Sequence, residues 1–308
     1  MTVVSSPPQA PAAPPPRRRT PGVGFGEGAV NLLNGAFLLL WALITTLPLV
    51  WAIISSFKTN REFLADPFGL PAAARFDNFA RAWTAANIGQ YFVNSVLVVV
   101  ISVPLTMLLG AMAAYVLARY EFRGNRLVYY GFVGGMIFPV FLALVPLFFV
   151  VRNLGFIPGI GPLLGLNSYL SLALVYTAFS LPFTVFFLTA FFRTQPTSIA
   201  EAAIVDGCSH FGLFFRVMLP MAKPGLISIG LFNVLGHWNQ YVLPVVLMND
   251  PERKVLAQGL AALAISQGYR GDWTALFAGL VIALLPVLIV YVLFQRQVQA
   301  GLTAGVLK

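Results

Sequence analysis

The chain has 308 residues, of which 58% are hydrophobic and 9% are charged, and its mean hydropathy is +0.83. Soluble globular domains carry roughly 25% charged residues, so this composition excludes an ordinary soluble domain. The formal net charge is +9, but the basic residues flank apolar runs instead of forming one patch. This distribution is typical of the topological anchors of a membrane protein and argues against a nucleic-acid partner.

The chain begins with a segment rich in Pro, Ala, Ser and Arg, which predicts a disordered cytoplasmic tail over 1–30 and a membrane domain over 31–308. Arg17–Arg19 precede an apolar run, as in a secretory signal peptide. That run is about 25 residues long, whereas a signal-peptide core has roughly 7–15, and Ser55–Lys58 is a poor cleavage site. The run is therefore predicted to be the first membrane span.

Six charge-free runs are long enough to cross a bilayer, because a helix needs about 20 apolar residues for ~30 Å of hydrocarbon. They are 32–56, 91–118, 127–151, 169–192, 225–248 and 274–294. Lipid permits only helices or closed barrels, and the alternating pattern of a barrel is absent. The sequence thus predicts an all-α membrane protein with six transmembrane helices. Pro139 and Pro146 are expected to be tolerated inside the third of them.

Arginine placement predicts the orientation of these spans. The loop 119–126 holds three arginines, whereas the loop 152–168 holds only Arg152. Because Lys and Arg are enriched in cytoplasmic loops, both termini are predicted to be cytoplasmic, and the loops 57–90, 152–168 and 249–273 are predicted to lie outside. A single cysteine, Cys208, excludes an internal disulfide.

The usual signs of catalysis are missing from the sequence. It contains no glycine-rich Walker A motif for nucleotide hydrolysis, and His210 and His237 with one cysteine make no convincing zinc site. No catalytic or metal-binding residue is therefore predicted. The spans hold no Asp, Glu, Lys or Arg, which argues against an ion-coupled transporter. A non-transporting membrane assembly remains the other alternative, and His237 is best interpreted as a hydrogen-bonded helix-packing residue.

A charged, glycine-broken segment, 195–224, separates the fourth and fifth spans. Ser198 and Glu201 fit an S-x-x-E capping box that would start a short helix. Gly207 can adopt the left-handed conformation that would end it. A second helix is predicted to carry one apolar face, formed by Phe211, Phe214, Phe215 and Met218. These local signals alone are equally compatible with a helix pair that only floats at the membrane interface.

This segment resembles the cytoplasmic coupling loop of importer-type ATP-binding-cassette permeases. That family has Glu-Ala-Ala, then a Gly, and after nine more residues an aliphatic residue, any residue and Leu-Pro. The matching positions are Glu201, Ala202, Ala203, Gly207, Val217, Leu219 and Pro220. The resemblance implies a MetI-like bundle with a core over 91–295 and a coupling loop over 195–224. It also implies that an ATPase subunit docks on Glu201, Ala202, Ala203, Asp206 and Gly207.

Other stretches resemble the carbohydrate subgroup of that family, which includes the maltose permeases. They are Pro48–Lys58, Asn94-Ser95, the segment 113–124, Trp238–Tyr241 and the C-terminal tail 301–308. Gln240 replaces the acid of the subgroup's Trp-Asn-acid pattern, so a charge-dependent role at that position is not carried over.

The resemblance implies a permease subunit of an ATP-driven carbohydrate importer in the bacterial inner membrane. The subunit is expected to transport and not to be an enzyme, and to bind no cofactor, because ATP and magnesium belong to the ATPase. The implied partners are a second permease, two ATPase subunits, an external solute-binding protein and the surrounding lipid. Import of an amino acid, a peptide or phosphate is the alternative within the family.

The fifth span carries four polar residues that are candidates for the substrate pathway: Asn233, His237, Asn239 and Gln240. Polar side chains in lipid must find partners, either on a neighbouring helix or on a hydroxylated solute. Helix packing is the simpler interpretation, and contact with the solute is the alternative.

Overall fold

The computed structural model describes residues 25–304, with side chains for 30–266 and 271–295. All regular structure within the described range is helical. The first helices are α1 (Phe25–Ser55), α2 (Asn60–Ala65), α3 (Asp77–Trp83), α4 (Ile88–Arg119), α5 (Asn125–Ile137), α6 (Val140–Leu154), α7 (Gly161–Leu164) and α8 (Tyr169–Thr194). They are followed by α9 (Thr197–Val205), α10 (His210–Gly212), a π-helical turn (Leu213–Met218), α11 (Leu219–Met221), α12 (Lys223–Trp238), α13 (Val242–Leu247), α14 (Leu256–Arg270) and α15 (Trp273–Ala304).

The chain divides after Val50 into two compact units, and α1 contributes to both of them. Within the first unit, the rings of Phe37 and Trp41 stack at 6.4 Å between centroids. Helix α1 begins at Phe25, inside the predicted tail, so the helix starts several residues before the apolar run. The rest of that tail, residues 1–24, lies outside the described residues, as do 305–308 of the C-terminal tail.

Four of the predicted spans are single helices long and apolar enough to cross a bilayer. They are Val30–Ser55, Ile88–Arg119, Tyr169–Thr194 and Trp273–Gln295. The described residues reach six spans when each of two bent helix pairs is taken as one span. These pairs are Asn125–Ile137 with Val140–Leu154, and His210–Met221 with Lys223–Trp238. The predicted all-α membrane architecture is therefore confirmed, but two of the spans are not single helices.

The third predicted span, 127–151, is broken. Helices α5 and α6 meet at an angle of 102°, and Phe138 between them is extended, with φ −67° and ψ 120°. Pro139 forces this conformation, because its ring disfavours a helical residue before it and it has no N–H to donate. The expectation that Pro139 is tolerated inside the span is wrong, whereas Pro146 does lie inside α6.

The fifth predicted span, 225–248, is also interrupted. Helix α12 ends at Trp238, and α13 starts only at Val242. The Asn239 side chain donates to the Leu235 carbonyl at 2.9 Å, which competes with the helical backbone pattern. Pro244 then removes the N–H that a continuous helix would need. At its other end, α12 is bent by 78° from the segment His210–Met221.

The three loops predicted to lie outside all contain helices. The loop 57–90 holds α2 and α3, the loop 152–168 holds α7, and the loop 249–273 holds α14. Helix α14 packs tightly on α4, because a Cβ atom at Gly259 would lie 2.0 Å from the Tyr91 ring. The hydropathy pattern missed α14 because its 15 residues are too short for a span.

Helices α4 and α8 form the centre of the second unit. They approach closely at Gly110, where a Cβ atom would lie 2.5 Å from Cγ2 of Thr184. Small residues permit such close contacts between helices in membranes. One apolar cluster at the C-terminal ends of these helices includes Leu188, Phe192, Phe214 and Met218. This cluster supports the segment that joins α8 to α12.

A polar network joins α3 to the start of α15, outside the apolar spans. Arg81 Nε lies 3.3 Å from Oδ2 of Asp272, and Asn60 Nδ2 donates to Oδ1 of Asp272 at 3.1 Å. Partial burial favours a higher pKa for Asp272. The hydrogen bonds from Arg81, Asn60 and the Ala275 amide outweigh it, so the pKa lies below the ordinary value.

Candidate coupling site

The segment 195–224 forms two helical arms joined by a turn, and we call it the elbow. Its first arm is α9, which starts directly after Pro196 with no side-chain cap. Ser198 lies within the first helical turn, so the predicted capping box of Ser198 and Glu201 is wrong. The helix begins at Thr197, before Ser198, so Ser198 does not occupy the N-cap position that the box requires. Glu201 is exposed to solvent.

The turn of the elbow depends on Gly207, as predicted. Its φ of +82° is left-handed, a region that other residues rarely adopt. Its N–H donates to the Ile204 carbonyl at 2.9 Å, and the N–H of Cys208 donates to the Ala203 carbonyl at 3.0 Å. This pair of bonds is a Schellman motif, which ends α9 and satisfies its last carbonyls. A Cβ atom at Gly207 would meet nothing within 4 Å, so the glycine serves the backbone conformation alone.

The second arm starts at a cap that the sequence reasoning missed. The Ser209 hydroxyl accepts a hydrogen bond from the Gly212 N–H at 3.2 Å. A serine two residues after the left-handed glycine is a usable sequence signal for such a cap. The arm then contains the π-helical turn Leu213–Met218.

This π-helical turn divides the predicted apolar face of the second arm. Phe214 and Met218 are buried, whereas Phe211 and Phe215 are exposed. Hydrogen bonds from i to i+5 widen the turn, so residues four apart share a face and residues three apart do not. The prediction of one common face is therefore wrong, and Leu213 is buried in place of the two exposed phenylalanines.

The elbow is tied to α4 and to α8 by specific contacts. Arg119 Nη2, at the end of α4, donates to the Gln195 carbonyl at 2.6 Å. The buried Gln195 side chain in turn donates through Nε2 to the Met218 carbonyl at 3.3 Å. The Tyr115 ring lies 5.6 Å from that of Phe192 and 5.1 Å from that of Phe214, between centroids. These contacts connect both arms to the ends of two spans.

The residues of the coupling pattern divide into an outer and an inner set. The outer residues are exposed: Glu201, Ala202, Asp206, Gly207 and Pro220. The inner residues are partly buried and pack against the apolar cluster under the elbow: Ala203, Val217 and Leu219. The pattern therefore combines an accessible surface with the contacts that hold it in place.

Two of the polar residues of the fifth span join three helices. His237 Nδ1 lies 2.7 Å from Ser102 Oγ on α4, and His237 Nε2 lies 2.8 Å from Ser180 Oγ on α8. A neutral imidazole can donate to one hydroxyl and accept from the other. Asn233 Nδ2 donates to Thr184 Oγ1 at 3.0 Å. These buried contacts fit the helix-packing interpretation of His237 and Asn233.

The other two polar residues lie in the break between α12 and α13. Asn239 is exposed, and Gln240 is partly buried. The structure therefore does not bring the four candidate pathway residues into one cluster.

The sequence from 106 to 303 matches the family described as "Binding-protein-dependent transport system inner membrane component". This match includes the elbow and covers more than half of the chain. The chain belongs to this family. It is a membrane-embedded permease component of a transport system and not an enzyme, as the sequence predicted.

Curated relatives of the permease cover nearly its whole length. The diacetylchitobiose uptake system permease protein NgcG of Streptomyces coelicolor is 51% identical over 273 residues, which cover 89% of this chain and 87% of that protein. The sulfoquinovosyl glycerol transport system permease protein SmoH of Agrobacterium fabrum is 32% identical, with 92% of this chain and 93% of that protein covered.

The permease also resembles a solved structure. A chain of a bacterial ABC transporter involved in the import of the acidic polysaccharide alginate superposes with a TM-score of 0.73. The match covers 90% of this permease and 99% of that chain, at 22% identity. At this identity the likeness concerns the fold, and it agrees with the helical permease bundle predicted from the sequence.

Proposed function

We propose that the permease is the pathway-forming subunit of an ATP-driven importer of a carbohydrate, a sugar or an oligosaccharide. The support for the substrate class is the 51% identity to a permease named for diacetylchitobiose uptake. A second relative, named for trehalose and maltose transport in Thermococcus litoralis, is 28% identical over 91% of the chain. In this proposal both termini are cytoplasmic, and an external binding protein delivers the solute.

We propose further that an ATPase subunit docks on the outer residues of the elbow. The observation that carries this proposal is the exposed Glu201–Gly207 surface, supported from beneath by the apolar cluster. A second permease completes the pathway, and two ATPase subunits hold ATP and magnesium. Closure of the ATPases moves both elbows, and the contacts of Arg119 and Tyr115 transmit that movement to α4 and α8.

The break between α12 and α13 is the part of the fifth span that we propose to face the solute. Asn239 is exposed there and Gln240 is partly buried, so their amides are accessible to sugar hydroxyls. Asn233 and His237 have their partners on neighbouring helices and would set the position of α12 instead.

Uptake by the purified, reconstituted complex tests the transport proposal. The complex is isolated from native membranes with its partners and placed in vesicles with labelled diacetylchitobiose, maltose or an amino acid outside. We expect accumulation of a saccharide only when ATP is supplied at the ATPase face. Accumulation that follows a proton or sodium gradient without ATP, or that is limited to the amino acid, would contradict the proposal.

Cysteine crosslinking tests the docking proposal. The native thiol is first removed by Cys208→Ser, and one new cysteine is introduced by Ala202→Cys on the exposed elbow. The matched control is Ala73→Cys, which is also exposed but lies in the predicted outer loop. We expect only the Ala202 variant to crosslink to a nucleotide-hydrolysing subunit. The same crosslink from both positions, or a crosslink from neither, would contradict the docking proposal.

A further inference from the structure

A cleft of about 600 Å³ opens beside the elbow, between the loop that follows α4 and the end of α8. Its lining includes three arginines, Arg119, Arg126 and Arg193, and one carboxylate, Glu121. No residue of the coupling pattern lines the cleft. The cleft is therefore separate from the proposed ATPase-docking surface, and its charge favours an anion.

The arginines of the cleft are not neutralised by carboxylates. The ion pairs among the described side chains involve Arg81 and Arg253, so none includes an arginine of this cleft. Arg119 uses Nη2 for the Gln195 carbonyl. Arg193 lies over the Tyr129 ring, 5.3 Å from its centroid. Arg126 is exposed and has no hydrogen-bond partner among the described residues. Two guanidinium groups, those of Arg126 and Arg193, are thus available to a ligand.

The surroundings indicate which anion fits. The cleft lies where the apolar helices α4 and α8 end, the depth at which hydrocarbon gives way to headgroups. On α5, directly beyond Arg126, the side chains of Leu127, Val128 and Tyr130 are exposed. A soluble anion would use only the cleft, whereas a phospholipid would use both the cleft and this apolar surface.

We propose that the cleft binds the phosphate of an anionic phospholipid. Arg126 and Arg193 hold the phosphate oxygens, since guanidinium groups match phosphate geometry and basic pockets between membrane helices suit anionic headgroups. Arg119 adds positive charge from the floor of the cleft, and the acyl chains lie along α5. This inference requires only that the permease lies in a bilayer, so it does not depend on the transported solute.

Native mass spectrometry of the complete complex provides the test. The complex is taken from vesicles of phosphatidylcholine containing phosphatidylglycerol, and the phosphatidylglycerol retained per permease is titrated. We expect Arg126→Gln with Arg193→Gln to weaken this retention about 25-fold, since each basic residue near an anionic surface contributes about fivefold. Glu121→Gln should strengthen it, because it removes the one carboxylate of the cleft.

The matched control is Arg152→Gln. Arg152 also lies over an aromatic ring, that of Phe156 at 6.0 Å, but it belongs to the opposite predicted face. Retention unchanged by Arg152→Gln and lost in the double variant supports the site. Equal retention in all variants overturns it.

Two further measurements separate the sources of the anion and the possible partners. Glycerol phosphate added in excess should not displace the lipid, because it lacks acyl chains, and displacement would mean a site for a soluble anion. Loss of the ATPase subunits with unchanged lipid retention would mean a protein contact and would also overturn the proposal. If the double variant does not fold, Arg126→Gln alone decides, with an expected effect of about fivefold.

Discussion

The guanidinium of Arg119 donates a hydrogen bond of 2.6 Å to the carbonyl of Gln195. This bond joins the last residue of α4 to the first residue after α8. Because the donor is charged, the bond is stronger than one between neutral groups. This bond, the packing of Tyr115 and the hydrogen bond between Tyr120 Oη and His210 Nδ1 at 3.1 Å together connect the ends of the two central helices to the elbow.

Replacing Arg119 should remove the hydrogen bond between α4 and the elbow while the elbow itself stays folded. We expect Arg119→Gln to lower the free energy of unfolding by about 2 kcal/mol, as for other hydrogen bonds to charged groups, and to reduce ATP-driven uptake severalfold. Thermal unfolding and uptake by the reconstituted complex measure these effects. The control is Arg123→Gln, an exposed arginine of the same loop. Equal effects of the two substitutions would show that this contact does not connect the helices.

The left-handed turn at Gly207 should tolerate Asn better than Ala. Gly207→Ala would strain the backbone by about 1–2 kcal/mol, whereas Asn enters this conformation more readily. Nothing lies within 4 Å of the new Cβ atom, so a steric clash contributes nothing. Thermal unfolding and uptake should therefore rank wild type, Asn and then Ala.

The matched control for Gly207 is Gly131→Ala. Gly131 lies inside α5, also with nothing within 4 Å, and there alanine favours the helix. If Gly207→Ala proves as harmless as Gly131→Ala, the positive φ is not what the turn requires.

The polar residues of the fifth span should separate into two functional groups. His237→Ala removes two contacts between helices, each worth about 0.6 kcal/mol in a membrane protein, so we expect a lower unfolding midpoint and an unchanged half-saturation for uptake. Asn239→Ala should leave the unfolding midpoint unchanged and raise the half-saturation concentration for uptake. Asn239 is exposed, and its side chain donates to the Leu235 carbonyl of the preceding helix. If His237→Ala raises the half-saturation concentration and Asn239→Ala does not, the histidine contacts the solute and this division is wrong.

The polar network around Asp272 should make stability depend on pH. The pKa of Asp272 is lowered from 3.8 in the folded state, so its carboxylate contributes stability that is complete above that pH. The contribution is lost as the pH falls through the lower, folded pKa. Unfolding midpoints of wild type and Asp272→Asn should differ at pH 7, and the difference should shrink as the pH falls below 3.8. A gap that widens on acidification would contradict this sign.

Hydropathy alone was sufficient to locate the membrane helices, because burying twenty apolar residues dominates every local preference. It could not show that the third and fifth spans are broken. Pro139 breaks its span whereas Pro146 does not, and what distinguishes them is the conformation of the preceding residue. Helix α14 was missed for another reason, since its length and its Gly, Ser and Gln residues give no membrane signal.

Within the elbow, backbone requirements were easier to predict than side-chain contacts. Gly207 was identified correctly because few residues can fill a left-handed turn. Ser198 was misassigned, since the helix already begins at Thr197 and Ser209 caps the other arm. The contact of Arg119 with Gln195 joins residues 76 positions apart in the sequence, and no local pattern could reveal it.

The division of the elbow into outer and inner residues bears on how such a subunit could come to use a different ATPase. Its shape is maintained from beneath, by Gln195, Phe214, Met218 and the backbone bonds around Gly207. The outward side chains of Glu201, Ala202 and Asp206 are not needed for that shape. Under the proposed docking, mutation of these outward residues can alter which ATPase is recognised while the elbow stays folded, so that ATPase choice and transport geometry can evolve separately.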